Sequence, residues 1–164
     1  MKGFVLAEQA HIVNILPPVD ITGGKKCQAF KMAKYQHATI ILQVGASAAA
    51  WTAILLQNGT ATAAIGSDVT GNVAMGFSYY EQVTAGADHD VLSVRKSVAA
   101  TGITAPSAND GIFYVIEVDG SELPDGSPYV QLLLTNGSNS VIASAVAILS
   151  GARFAETQSP TETA

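Results

Sequence analysis

The sequence predicts an all-β domain, either an antiparallel β-sandwich or a β-barrel of jelly-roll-like form. Short runs of β-branched and aliphatic residues recur along the 164 residues, and Gly, Asn, Pro and Asp separate them. No stretch of about ten residues carries a convincing amphipathic helical pattern. We therefore expect about seven to nine strands connected by turns.

The first strand is predicted over residues 11–16. It should stop at Pro17-Pro18, because consecutive prolines donate no backbone hydrogen bonds, and residues 19–24 should form a connector. Residues 1–18 then have two interpretations. They are either an arm that adds to the sheet edge of another chain or the first strand of the domain's own sheet.

In the middle of the chain, β-branched and aromatic content indicates the strands. They are predicted over residues 39–44, 51–57, 60–65, 73–81 and 91–99. Gly45 should end the first of these, and Asn58-Gly59 should form a type I′ hairpin turn between the second and the third. The valines of residues 91–99 also fit a helical spacing, but their β-branching favours a strand.

Three more strands are predicted over residues 112–118, 129–135 and 140–150, with a turn at Asn136-Gly137 before the last. Side chains alternate between the two faces of a strand. In the last strand this alternation separates two apolar sets, Ile142, Val146 and Ile148 on one face and Val141, Ala143, Ala145, Ala147 and Leu149 on the other. We expect both faces to be covered, which makes it a central strand or a subunit-contact strand.

The chain is long enough for one domain with its own core. We assign residues 1–18 to the arm or first strand, residues 19–154 to a single β domain, and residues 155–164 to a flexible tail. Residues 156–164 are mostly Thr, Glu, Ser, Gln and Pro and lack the apolar side chains needed to fold.

Composition limits the function. Charged residues make up 13% of the chain, about half of the roughly 25% typical of globular domains, which predicts a surface partly covered by a partner. The net charge of -5 disfavours nucleic acid and acidic membrane surfaces as partners. Cys27 is the one cysteine, so an intrachain disulfide is impossible, and we interpret it as a buried thiol.

The sequence contains no recognisable catalytic motif, and we therefore predict no catalytic residue, no cofactor and no metal, and a protein that is not an enzyme. His11, His37 and His89 lie in separate segments without metal-ligand spacing. Asp88 and Asp90 flank His89, which could indicate a cation loop, but an exposed acidic turn is the simpler interpretation. The sequence at residues 23–26, Gly-Gly-Lys-Lys, lacks the spacing of a phosphate-binding loop.

Lysines are unevenly distributed. Half of the eight basic residues lie within ten positions, as Lys25, Lys26, Lys31 and Lys34. This cluster indicates either a docking patch or a solvated lysine-rich edge that prevents strand-to-strand aggregation.

Three segments resemble small virion proteins of tailed bacteriophages. They are YVQLLLTNGSNSVIASAVAILSGAR at residues 129–153, HIVNILPPVDI at 11–21 and SANDGIFYVIE at 107–117. The resemblance covers about half the chain and leaves residues 57–101 unmatched. It implies a capsid decoration or cement protein, which binds the major capsid protein lattice, often as a homotrimer, and lies on the capsid surface after synthesis in the bacterial cytoplasm.

Candidate contacts with the capsid or with another subunit are taken from the N-terminal segment, the lysine cluster and the last strand. They are Phe4, Val5, Leu6, Ile12, Ile15, Lys25, Lys26, Lys31, Lys34, Val141, Ala143 and Ala145. Three alternatives stay open: a tail-tube or head-completion protein, a carbohydrate-binding β-sandwich, and an enzyme. The second would expose aromatic side chains, with Trp51, Tyr79, Tyr80 and Tyr129 as the candidates.

Overall fold

A computed structural model describes residue 3, residues 5–83 and residues 91–152. Within them, two six-stranded antiparallel sheets pack face to face. The predicted all-β sandwich is confirmed, and the sheets do not close into a barrel. The helical content of the described residues is one short helix, α1 (Leu6–Gln9), and one 3-10 turn (Gly120–Glu122).

The first sheet contains the longest strands. Its order is β1 (His11–Asp20), β12 (Val141–Ala152), β4 (Tyr35–Ser47), β10 (Ile112–Asp119), β7 (Phe77–Gln82) and β8 (Lys96–Val98). The second sheet has the order β2 (Lys25–Lys26), β11 (Tyr129–Thr135), β5 (Ala53–Gly59) and β6 (Val73–Met75). Two further short strands join it, since β3 (Phe30–Lys31) pairs with β11 and β9 (Ile103–Thr104) pairs with β5.

The core lies between the two sheets and is built by alternation. Ile40 and Leu42 of β4 and Ile116 of β10 point inward from the first sheet, and Leu132 of β11 and Leu56 of β5 belong to the same buried cluster. Side chains between these positions point away from the core. Each sheet therefore has an inner face and an outer face.

The last strand is central, as predicted, because β12 lies between β1 and β4. Its odd-numbered residues from Val141 to Leu149 are buried in the core, but the described chain does not itself cover the opposite face, so the expected cover there stays a prediction about a partner. Ile142 is 38% exposed, and Val146 and Ile148 are half-buried. In the part of the chain that is described, no second layer covers this outer face of the first sheet.

The first strand does not stop at Pro17-Pro18. β1 continues to Asp20 and pairs with β12 of its own chain, so residues 11–20 form the first strand of the sandwich. Prolines are tolerated because β1 is at the sheet edge, where a missing N–H needs no partner. Register shifts between Asn14 and Leu16 and between Leu16 and Val19 absorb the irregularity.

The predicted hairpin at Asn58-Gly59 is also wrong. β5 runs through both residues, and Gly59 is the register partner of Tyr129. A Cβ on Gly59 would lie 2.6 Å from the Val69 side chain, so this glycine allows residues 60–72 to cross closely over the sheet. Those residues form a long connection to β6 and not a strand, with one isolated bridge between Ala61 and Thr70.

Three of the other predicted strands are present as long strands, whereas two are split or shortened. Residues 39–44, 112–118 and 129–135 lie in β4, β10 and β11, although β4 continues past Gly45. Residues 73–81 split at Gly76 into β6 and β7, which belong to different sheets. Of the strand predicted over residues 91–99, the three residues of β8 are in a strand. The described part holds twelve strands, more than predicted, because several have only two or three residues and leave no sequence pattern.

Candidate interaction face

The two outer faces of the sandwich differ in how they are covered. On the second sheet, the connection of residues 60–72 folds over the strands, and Ala29, Ala63 and Val69 form a small buried cluster against Tyr129. This outer face is thereby partly closed by the chain itself.

Gln131 of β11 holds that connection in place. Its side chain is fully buried, and its Nε2 donates to the carbonyl oxygens of Cys27 at 2.8 Å and Ser67 at 2.7 Å. Its Oε1 accepts hydrogen bonds from Gln57 Nε2 at 2.7 Å and from the backbone N–H of Val69 at 3.2 Å. These four hydrogen bonds stabilise the connection of residues 60–72, because a buried polar group without a hydrogen-bond partner would have lost its water without compensation.

The outer face of the first sheet carries apolar residues on five strands, set among polar residues such as Thr39, Gln43 and Ser144. Strand register places Tyr80, Val115, Ile41 and Val146 in one row across β7, β10, β4 and β12. We call the apolar set on this face the outer band, which consists of Ile12, Ile41, Tyr80, Phe113, Val115, Ile142, Val146 and Ile148. Ile12 and Ile41 are 45% and 37% exposed.

A cluster of ionisable side chains borders the outer band. His37 and Thr39 of β4 lie opposite Asp119 and Glu117 of β10 in the strand register, and we call these four residues the His37 cluster. Nδ1 of His37 is 2.8 Å from Asp119 Oδ1, and Nε2 is 2.7 Å from Glu117 Oε2. The Thr39 hydroxyl donates to the same Glu117 oxygen at 2.7 Å.

These contacts change the protonation of His37. Partial burial favours the neutral ring, but hydrogen bonds to Asp119 and Glu117 and their negative charge outweigh it, so the pKa of His37 is raised above its ordinary 6.5. The sequence carried a weak signal for this cluster. His37 and Thr39 are two residues apart, as are Glu117 and Asp119, so each pair lies on one face of its strand. Nothing in the local sequence predicts that the two pairs meet.

The lysine cluster lies mainly along one edge of the second sheet. Lys25 and Lys26 form β2, and Lys31 belongs to β3. Lys26 forms an ion pair with Asp68, and Lys31 Nζ lies 5.4 Å from the centre of the Tyr129 ring. Lys34 lies in the exposed turn between β3 and β4. These positions fit a lysine-rich edge, and a docking role stays a prediction.

A groove of about 450 Å³ adjoins this edge at residues 23–26. The backbone N–H of Gly23 donates to Gly137 O at 2.7 Å, and that of Gly24 donates to Ile21 O at 2.8 Å. Because the amide groups of both glycines are bonded within the chain, they are not directed toward a ligand.

The remaining candidate contacts divide between surface and core. Val5 is 40% exposed and Leu6 is half-buried, close to the start of β1. Phe4, Asp88, His89, Asp90 and the predicted tail lie outside the described residues. Ile15, Val141, Ala143 and Ala145 are at most 1% exposed. Their placement on a contact surface is corrected, because these residues point into the core of their own sandwich.

The aromatic candidates do not form a common platform. Trp51 and Tyr79 are buried in the core, at 2% and 7% exposure. Tyr80 and Tyr129 are half-buried on the outer faces of different sheets. Cys27 is fully buried, and burial raises the pKa of its thiol to about 12.

Within the described residues, no group of three or more His, Cys, Asp or Glu side chains is arranged to hold a metal ion. None of the helices in that part of the chain is long and apolar enough to cross a membrane. No family model, curated protein or solved structure matches the chain.

Proposed function

We propose that the protein is a non-enzymatic virion structural protein of a tailed bacteriophage, a decoration or cement protein that docks on the major capsid lattice. The observation that carries the proposal is the outer band, an apolar face on the central strands of the first sheet. The resemblance of residues 11–21, 107–117 and 129–153 to small phage virion proteins supplies the class of partner.

An antiparallel sheet with one face in water normally alternates apolar and polar residues. Here β4, β10 and β12 carry apolar residues on the outer face as well, at Ile41, Val115 and Val146. They form an apolar row between polar positions such as Gln43, Ser144 and Glu117, and an exposed apolar patch is one mark of an interaction site.

The size of the face approaches that of a specific interface. Five strands about 4.8 Å apart, with β10 about 27 Å long, give roughly 650 Å² of flat area. A stable protein interface buries about 800 Å² on each partner. The outer face and its rim therefore supply nearly the area that one interface requires.

Charge indicates the chemistry of the partner. The His37 cluster gives one end of the outer face two carboxylates, Glu117 and Asp119, and the chain as a whole carries a net charge of -5. The complementary shell surface is apolar and bordered by basic side chains. Many copies on one lattice, each a homotrimer, would stabilise the shell by avidity and by binding only its assembled form.

The test uses a matched pair of substitutions. Ile41 and Ile65 are 37% and 41% exposed, but Ile41 is in the outer band and Ile65 is in the connection that covers the second sheet. Capsid shells made from the same phage genome without this gene are incubated with wild-type, Ile41→Asp or Ile65→Asp protein. Bound protein is measured by sedimentation, and shell disruption by light scattering during heating.

We expect the wild type and Ile65→Asp to bind and raise the disruption temperature, and Ile41→Asp to bind weakly. Equal binding of both variants would show that the outer band is not the docking face. Absence of wild-type binding would reject the capsid partner itself.

A further inference from the structure

The His37 ring makes hydrogen bonds through both of its nitrogens. Each nitrogen is within 2.8 Å of a carboxylate oxygen, one from Asp119 and one from Glu117. An ionised carboxylate only accepts hydrogen bonds, and a neutral imidazole has a single N–H to donate. The imidazolium form of His37 is the ring form that satisfies both contacts.

We propose that His37 is a pH-sensitive clamp, in which the charged ring joins β4 to both carboxylates of β10 and loss of its proton opens this end of the first sheet. The clamp is a property of the folded chain and goes beyond the proposed docking function. It does not depend on which partner covers the outer band.

The elements packed around His37 supply few other charges. On β10 the ionisable groups are Glu117 and Asp119, and from the 3-10 turn Glu122 accepts a hydrogen bond from the Asp119 N–H at 3.3 Å. β12 contributes the neutral Ser150 as register partner of His37. β7 contributes Ser78 as register partner of Glu117, and Arg95 donates to the Ser78 hydroxyl at 2.8 Å.

Deprotonation therefore has a defined local result. The cluster changes from one net negative charge to two, and one carboxylate is left facing a ring lone pair. Thr39 continues to donate to Glu117. The neutral ring keeps its hydrogen bond to one of the two carboxylates, Asp119 or Glu117, and the other carboxylate loses its contact with the ring. This end of the sheet lies beside the outer band, because the Ile41–Val115 pair follows the Thr39–Glu117 pair in the register of β4 and β10.

The direction of the pH effect follows from the raised pKa of His37. Its contribution to stability is fully present below the unfolded-state pKa of about 6.5. That contribution is lost as the pH rises through the higher folded-state pKa. The clamp is closed in mildly acidic solution and opens on the alkaline side of that window.

The first measurement is an NMR titration of the ring nitrogens in the full-length protein. We expect both His37 nitrogens to be protonated at pH 6 and to titrate above 6.5. Glu117→Gln and Asp119→Asn should each lower the pKa of His37. Glu122→Gln, which removes a nearby charge that does not contact the ring, should lower the pKa of His37 least.

The second measurement compares the urea midpoints of wild type and His37→Gln across the same pH range. We expect the wild type to be the more stable protein below pH 6.5, and the difference to shrink as the pH rises. A His37 that titrates at or below 6.5, or a midpoint difference independent of pH, would overturn the clamp. The titration needs only the wild type, so the proposal is tested even if a variant fails to fold.

Discussion

Gly102 shows how a single residue fixes the approach of a short strand to the second sheet. It precedes β9, has a φ of +70°, and donates its N–H to Ala99 O at 2.9 Å. A Cβ at this position would lie 2.1 Å from the carbonyl oxygen of Ile54 on β5. Gly111 has a similar φ of +67°, but a Cβ there would meet nothing within 4 Å.

Alanine substitutions at Gly102 and Gly111 separate the cost of backbone strain from the cost of steric overlap. Gly111→Ala should lower the free energy of unfolding by about 1 kcal/mol, because alanine is disfavoured at positive φ. Gly102→Ala should lower it by about 3 kcal/mol, since the methyl group also displaces β9 from β5. Urea unfolding measures both, and equal losses would mean that β9 moves without cost.

At the scale of the element, β12 shows that alternation and not composition decides which side chains tolerate change. Ala145 is 1% exposed and faces the core, whereas its neighbour Ser144 is half-buried on the outer face. The two residues share one central strand and one pair of neighbouring strands.

Ala145→Asp should prevent folding, because an unpaired carboxylate in the core loses its water at a cost on the order of the whole stability of a small domain. Ser144→Asp, one residue away, should fold and change stability by about 0.5 kcal/mol. Circular dichroism and soluble yield would distinguish them. A folded, heat-stable Ala145→Asp protein would contradict the assigned inner face of β12.

At the scale of the whole molecule, the sheet edges and faces are protected unequally. β1 is interrupted at one edge of the first sheet by register shifts, and lysines line the β2 and β3 edge of the second. Irregular and charged edges discourage further strand pairing. The outer band has no such protection in the described chain, which favours association through a face.

We expect the purified protein to form a closed homotrimer, with a mass three times the 16.9 kDa of one chain. Light scattering over micromolar concentrations measures this directly. Open rings or tubes that grow with concentration would instead favour the tail-tube alternative. A monomer mass throughout would contradict the homotrimer while leaving assembly on a capsid to the shell-binding test.

Local sequence was sufficient for the fold class and for the longest strands. A period of two, β-branched runs and turn residues predicted β4, β10, β11 and β12, because side-chain alternation is a property of each strand by itself. The partner-covered surface that composition predicts stays a prediction.

Tertiary structure alone decided which strands are neighbours and in which register. His37 and Asp119 are 82 positions apart in sequence and 2.8 Å apart at their side chains, and only the β4–β10 register brings them together. Edge position allows β1 to pass Pro17-Pro18, and close packing against Val69 keeps Gly59 within β5. The physical reason is that strand pairing depends on contacts between distant segments, whereas propensity and turn chemistry report only the nearest residues.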